Sequence, residues 1–172
     1  MLVLDSFDER ELDRAGQGPR ALQSGDHIVA VRRFKGYAHH GIYVGEELGV
    51  KYVIHFTPTA PGGLFAKSSS KRACQICGHQ ANIHLGVVKT CLDCFLLGER
   101  LQVMVHNGNS NPSDVVTRTA YQLLQNGFGQ YELLRHNCED FATLCKTGGK
   151  LSSPVPYTGP IFLVRGRDII YM

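Results

Sequence analysis

The residues best suited to do chemistry in this 172-residue chain are its cysteines and histidines. Four of six cysteines form two Cys-x-x-Cys pairs, Cys74/Cys77 and Cys91/Cys94, with thirteen residues between the pairs. Each pair can span one tight turn and the gap leaves room for a short hairpin, so the spacing suits tetrahedral thiolate binding of zinc. Gly78, directly after the first pair, and Gly86 supply the backbone freedom that such turns need. Four protein thiolates leave no open coordination position, so the expected metal is a structural zinc held by Cys74, Cys77, Cys91 and Cys94. A variant of this set exchanges one cysteine for His79 or His84.

Cys138 lies in the run Asn137-Cys138-Glu139-Asp140, which reads as the start of a helix. There the unpaired N–H groups and the helix dipole favour a thiolate, and the same N–H groups could hold the oxyanion of a tetrahedral intermediate. Glu139 and Asp140 oppose that charge, and a buried cysteine packing as a small hydrophobe is the ordinary alternative. Cys145, two helical turns on, is expected to be buried. A nucleophilic cysteine also needs a base, and that base needs a group to fix its tautomer. Candidates are His39, His40 and His55. With a hairpin turn centred on Glu47, facing residues have numbers summing to 94, which sets His39 opposite His55. A slip of one residue pairs His40 with His55 instead, so the register decides between them. His27, His84, His106 and His136 show no comparable pattern and receive no role.

The elements that must position these residues follow from the patterning. Asp26–Arg32, His39–Val44 and Lys51–Phe56 read as strands, the last two as a hairpin. A Gly/Ser/Pro-rich loop leads from Thr59 into the four-cysteine insert, and Arg100–Val105 returns as a strand. A helix is expected after Ser113 as N-cap, ending near Asn126-Gly127; a short strand over Gln130–Leu134 leads to the Cys138 helix, which Gly148-Gly149 ends. Strands before helices indicate an α+β fold. The length allows one domain, 1–172, with an embedded insert over 72–96.

Net charge is a mild +3 with scattered basic residues, which argues against a nucleic-acid partner. Met1 to Gly18 carries five acidic residues and lacks the features of a secretory signal, and no stretch reaches the roughly 18 apolar residues of a membrane span. A cytoplasmic protein with free or metal-bound thiols is expected.

The runs His39-His40-Gly41-Ile42-Tyr43-Val44-Gly45, Val53-Ile54-His55-Phe56 and Asn137-Cys138-Glu139-Asp140-Phe141-Ala142 resemble the three motifs of the lecithin-retinol acyltransferase-like family, within the NlpC-type papain-like thiol enzymes. The resemblance covers roughly Gly25–Phe56 and Tyr131–Gly148, and the insert with Phe95 and Leu96 is similar to that of plant members. It implies a circularly permuted papain-like fold with an antiparallel sheet packed on helices. It also implies that Cys138 is the nucleophile, His39 the base and His55 the second histidine. The activity implied is acyl transfer, or hydrolysis of a phospholipid or other ester, through a thioester on Cys138. An amidase or peptidase, and an inactive zinc-containing interaction module, are the competing readings. The implied partner is a lipid or acyl-bearing small molecule, with room for peripheral membrane contact and for a protein partner at the insert.

Overall fold

The computed structural model describes residues 21–32, 37–58, 72–81, 83–106, 108, 110–133 and 136–149, and the strands over 161–165 and 168–171. The acidic N-terminal segment lies outside the described residues. The chain runs β1 (His27–Arg32), β2 (Tyr37–Glu47), β3 (Val50–Phe56), β4 (Val87–Cys91), α1 (Leu92–Leu96), β5 (Arg100–Met104), α2 (Ser113–Asn126), α3 (Cys138–Thr147), β6 (Ile161–Arg165) and β7 (Asp168–Tyr171). All the strands join one sheet in the order β4-β3-β2-β1-β5-β6-β7, each pair antiparallel. The α+β architecture expected from the sequence is present, with both histidine strands preceding the cysteine helix as the permuted papain-like order requires.

Alternation along the strands splits the core into two layers. On one face Ile28, Ala30, Tyr43, Val53, Leu101 and Val103 pack with Phe95 of α1. On the other, Ile42, Ile54 and Phe56 meet Val116 and Ala120 of α2 and Phe141, Ala142 and Cys145 of α3. Burying a side chain of the Ile or Phe class is worth about 1.5–3 kcal/mol, so the two layers clamp β2 and β3 from both sides.

The β2–β3 hairpin departs from the expected register. Glu47 pairs with Val50 across a two-residue turn, Leu48-Gly49, in which both residues have positive φ, 52° and 79°. A two-residue turn with positive φ at both positions has a twist that matches the right-handed twist of the strands it joins. A bulge then takes up Val44, and beyond it Tyr43 pairs with Val53 and Gly41 with His55. Facing residues therefore sum to 97 near the turn and 96 past the bulge. Without the bulge His55 would stand opposite Ile42, on the α2–α3 side; with it, His55 shares the α1 side with His39.

Two smaller expectations change. Of the strand expected over Gln130–Leu134, the described residues Gln130 to Leu133 show an isolated bridge, Glu132 with His136, and Leu134 lies outside the described residues. Pro112 rather than Ser113 occupies the N-cap of α2, its extended ψ of 148° placing Ser113 as the first helical residue.

Candidate functional site

α3 begins with a capping box. Asn137 Oδ1 accepts from Glu139 N–H (2.8 Å) and Asp140 N–H (3.3 Å), while Asp140 Oδ2 accepts from Asn137 N–H (3.1 Å). Asn137 Nδ2 also donates to the Leu133 carbonyl at 2.8 Å, which ties the preceding loop to the helix start. Cys138 is thereby fixed as the first helical residue. The cap also engages the N–H groups of Glu139 and Asp140, so these are not the free oxyanion donors expected from the sequence. The N–H of Cys138 itself, which faces its own sulfur, and the Tyr131 side chain, which hydrogen-bonds that sulfur, are better placed.

β2 runs past its last pair with β3, Gly41↔His55. There the Cys138 sulfur lies 3.9 Å from the Ala38 carbonyl and is hydrogen-bonded by the His40 backbone N–H. These two peptide groups flank His39. The sulfur is buried, and burial pushes the thiol pKa up, with the Glu139 charge adding; the His40 N–H and Tyr131 pull the other way without cancelling it.

His39 and His55 meet directly. His39 Nε2 lies 2.9 Å from His55 Nδ1, with the rings perpendicular and their centroids 4.9 Å apart. The histidines are diagonal rather than direct cross-strand neighbours, since Gly41 is the residue facing His55. His55 Nε2 is in turn 3.0 Å from Thr90 Oγ1 in β4, and Thr90 is fully buried. Phe95 covers the pair, its ring 5.2 Å from that of His39 and 5.3 Å from that of His55. Gly41 is what lets Phe95 in: a Cβ there would come within 2.9 Å of the Phe95 ring and 2.8 Å of Val53 Cγ1. Thr90 escaped the sequence reading, and Phe95 entered it only through the resemblance of the insert to that of plant members, without a place at the histidines, although each adjoins a cysteine that the reading singled out.

His40 points to the opposite face. Its Nδ1 is 2.9 Å from His27 Nε2, and His27 Nδ1 is 2.8 Å from His106 Nε2. His27, which received no role from its sequence pattern, has its pKa held well below the ordinary value by burial first, then by His40, His106 and Lys146. Burial pushes His40 down to about 4. A histidine buried and neutral in this way packs the interior beneath α3, as the alternation of β2 requires. His136 likewise packs, stacked on Phe128 with centroids 4.2 Å apart.

The insert brings its four cysteines together, their sulfurs all within 4.8 Å of one another. Cys74 and Cys91 are 3.9 Å apart and Cys77 and Cys94 are 3.7 Å apart. Four thiolates at zinc–sulfur bonds of about 2.3 Å stand about 3.8 Å apart in a tetrahedron, so the set fits a thiophilic divalent ion. Charge points the same way. The N–H groups of Cys77 and Ile76 lower the Cys74 pKa to about 6, whereas burial raises Cys91 and Cys94, so a full set of thiolates needs a cation beside them. His84 Nδ1 instead accepts from Gln80 N–H at 3.0 Å, and His79 lies in ring contact with His55, centroids 6.4 Å apart.

Comparison with known proteins bears on the family. The family model described as Lecithin retinol acyltransferase matches residues 20–151. Protein LEAD-SENSITIVE 1 of Arabidopsis thaliana is 37% identical over 155 residues, covering 74% of this chain. The chain spans 58% of that relative's length.

Proposed function

Because the chain belongs to the lecithin retinol acyltransferase family, we propose that it is a thiol-dependent acyltransferase or phospholipid/ester hydrolase that works through an acyl thioester on Cys138. The observation that carries this reading is the placement of the Cys138 sulfur against the peptide groups on either side of His39, while His39 is hydrogen-bonded to His55. His39 Nε2 is engaged by His55, which leaves Nδ1 as the nitrogen that takes the thiol proton. The raised thiol pKa means the cysteine rests protonated, so His39 acts as a base during attack rather than as one half of a resting ion pair. The sulfur then attacks the acyl carbonyl, and the Cys138 N–H and Tyr131 hydroxyl steady the oxyanion. His39 returns the proton to the departing alcohol, and water or a second acceptor releases the acyl group.

The cluster of Cys74, Cys77, Cys91 and Cys94 holds zinc in a closed, structural site. Among the described residues no helix is long and apolar enough to cross a membrane. As part of the same proposal, the enzyme works in the cytoplasm, and its substrate is a soluble acyl compound or a lipid met by peripheral contact with a membrane surface.

Intact-mass analysis after incubation with phospholipid or an activated acyl ester tests the reading. An acyl adduct in the native protein, absent from Cys138→Ala, is expected together with loss of at least ~100-fold in turnover. One observation favours a second reading, an inactive scaffold whose insert serves as an interaction module: the Cys138 thiol is buried and its pKa raised. That reading requires no adduct with any acyl donor and no change in turnover in Cys138→Ala.

A further inference from the structure

The insert and the histidine pair are joined by covalent neighbours. Thr90, whose hydroxyl reaches His55, immediately precedes Cys91, and Phe95, which covers both rings, immediately follows Cys94. From this juxtaposition we infer that Thr90 is a positioning residue that fixes the tautomer of His55 and so gives the proton path from Cys138 its direction. The inference rests on His39 acting as base in the proposed function.

Each ring nitrogen in a neutral imidazole either donates or accepts. For His39 to take a proton from the thiol at Nδ1, its Nε2 must carry hydrogen and donate to His55 Nδ1. His55 Nδ1 must then be the accepting nitrogen, and the hydrogen of His55 must sit on Nε2. That hydrogen faces Thr90 Oγ1 at 3.0 Å inside a fully buried contact. A hydroxyl oxygen there is able to accept it, which supplies the partner that the productive tautomer needs and that a methyl group would not. With no acceptor, a buried Nε2–H would be unsatisfied, so His55 would shift its hydrogen to Nδ1. His55 would then donate to His39 Nε2, the His39 hydrogen would occupy Nδ1, and no lone pair would face the thiol. When the productive chain runs, the thiol proton moves to His39 Nδ1. The resulting imidazolium keeps its Nε2–H on His55, and no proton leaves the pair until the alcohol takes it back from Nδ1.

The test combines histidine ring nitrogen NMR with steady-state kinetics on the full chain. In the native protein His55 should be the Nε2–H tautomer. In Thr90→Val, close in shape but without the acceptor, it should shift toward Nδ1–H, with kcat lowered about 10–100-fold at nearly unchanged KM. Thr90→Ser should restore both the tautomer and most of kcat, which a purely packing role for the Thr90 methyl would not do. A native His55 with its hydrogen on Nδ1 overturns the inference without any variant, and so does a tautomer indifferent to Thr90→Val. Failure of the proposed function looks different: the native protein forms no acyl adduct, whereas the His55 tautomer still responds to Thr90.

Discussion

Cys138 is subject to two opposed influences. A helix start with hydrogen-bond donors around the sulfur favours the thiolate, while burial and the Glu139 charge favour the thiol, and burial prevails. The sequence displayed the first influence through Asn137 and the helix pattern, but burial depends on residues as distant as Ala38 and Tyr131 and has no local signature. His39 and His55 were legible because both lie in recognisable strand patterns. Thr90 was not, since one threonine inside a strand carries no chemical mark until a histidine is seen beside it. His40 makes a prediction of its own. In the unfolded chain it titrates near the ordinary 6.5, but in the folded chain only near 4, so between those values the unfolded state binds more protons and stability falls as pH falls. The loss for His40 alone is about 3 kcal/mol, and His27 adds to it in the same direction. Urea unfolding at pH 7 and pH 4.5 checks this. His40→Asn should show a smaller drop between the two pH values than the native chain. An equal drop would place the acid sensitivity elsewhere.

At the scale of elements, β1, β2, β3, β5, α2 and α3 follow closely from apolar periodicity and from caps such as Asn137. β4 and α1 were hidden because the cysteines gave the insert a metal-binding reading that left its backbone undefined. Yet β4 extends the sheet beside β3, and α1 brings Phe95 onto the histidine pair. The contact depends on Gly41, and Gly41→Ala tests it. A Cβ there would press on both Phe95 and Val53, as the distances of 2.9 and 2.8 Å show. The chain should lose about 1–3 kcal/mol, read by chemical denaturation, and its turnover should fall because Phe95 is pushed off the histidine rings. Full turnover in a destabilised Gly41→Ala would show that Phe95 contributes packing alone.

Across the whole molecule, the two faces of the sheet differ in content, and the Cys138 sulfur lies at the β2 edge between them, against the Ala38 carbonyl and the His40 N–H. The α2–α3 side holds the larger apolar layer with the neutral His27 and His40, and the α1 side holds His39, His55 and the insert that covers them. The four-cysteine cluster is thus the far anchor of the wall behind the histidines. About one zinc per chain is expected by elemental analysis. Stripping it with a chelator should lower the melting temperature and reduce turnover together, and adding zinc back should restore both; metal-free protein that kept its turnover would separate the insert from the site. The bulge at Val44 has a consequence for chain length. His39 and His55 are 16 positions apart, an even interval, and a two-residue turn by itself brings only odd intervals to one face. The extra residue makes up the difference in parity. Insertions and deletions in this hairpin should therefore come in compensated combinations: relatives with an odd histidine interval across an equally tight turn need an unbroken strand, and those with an even interval need the irregularity.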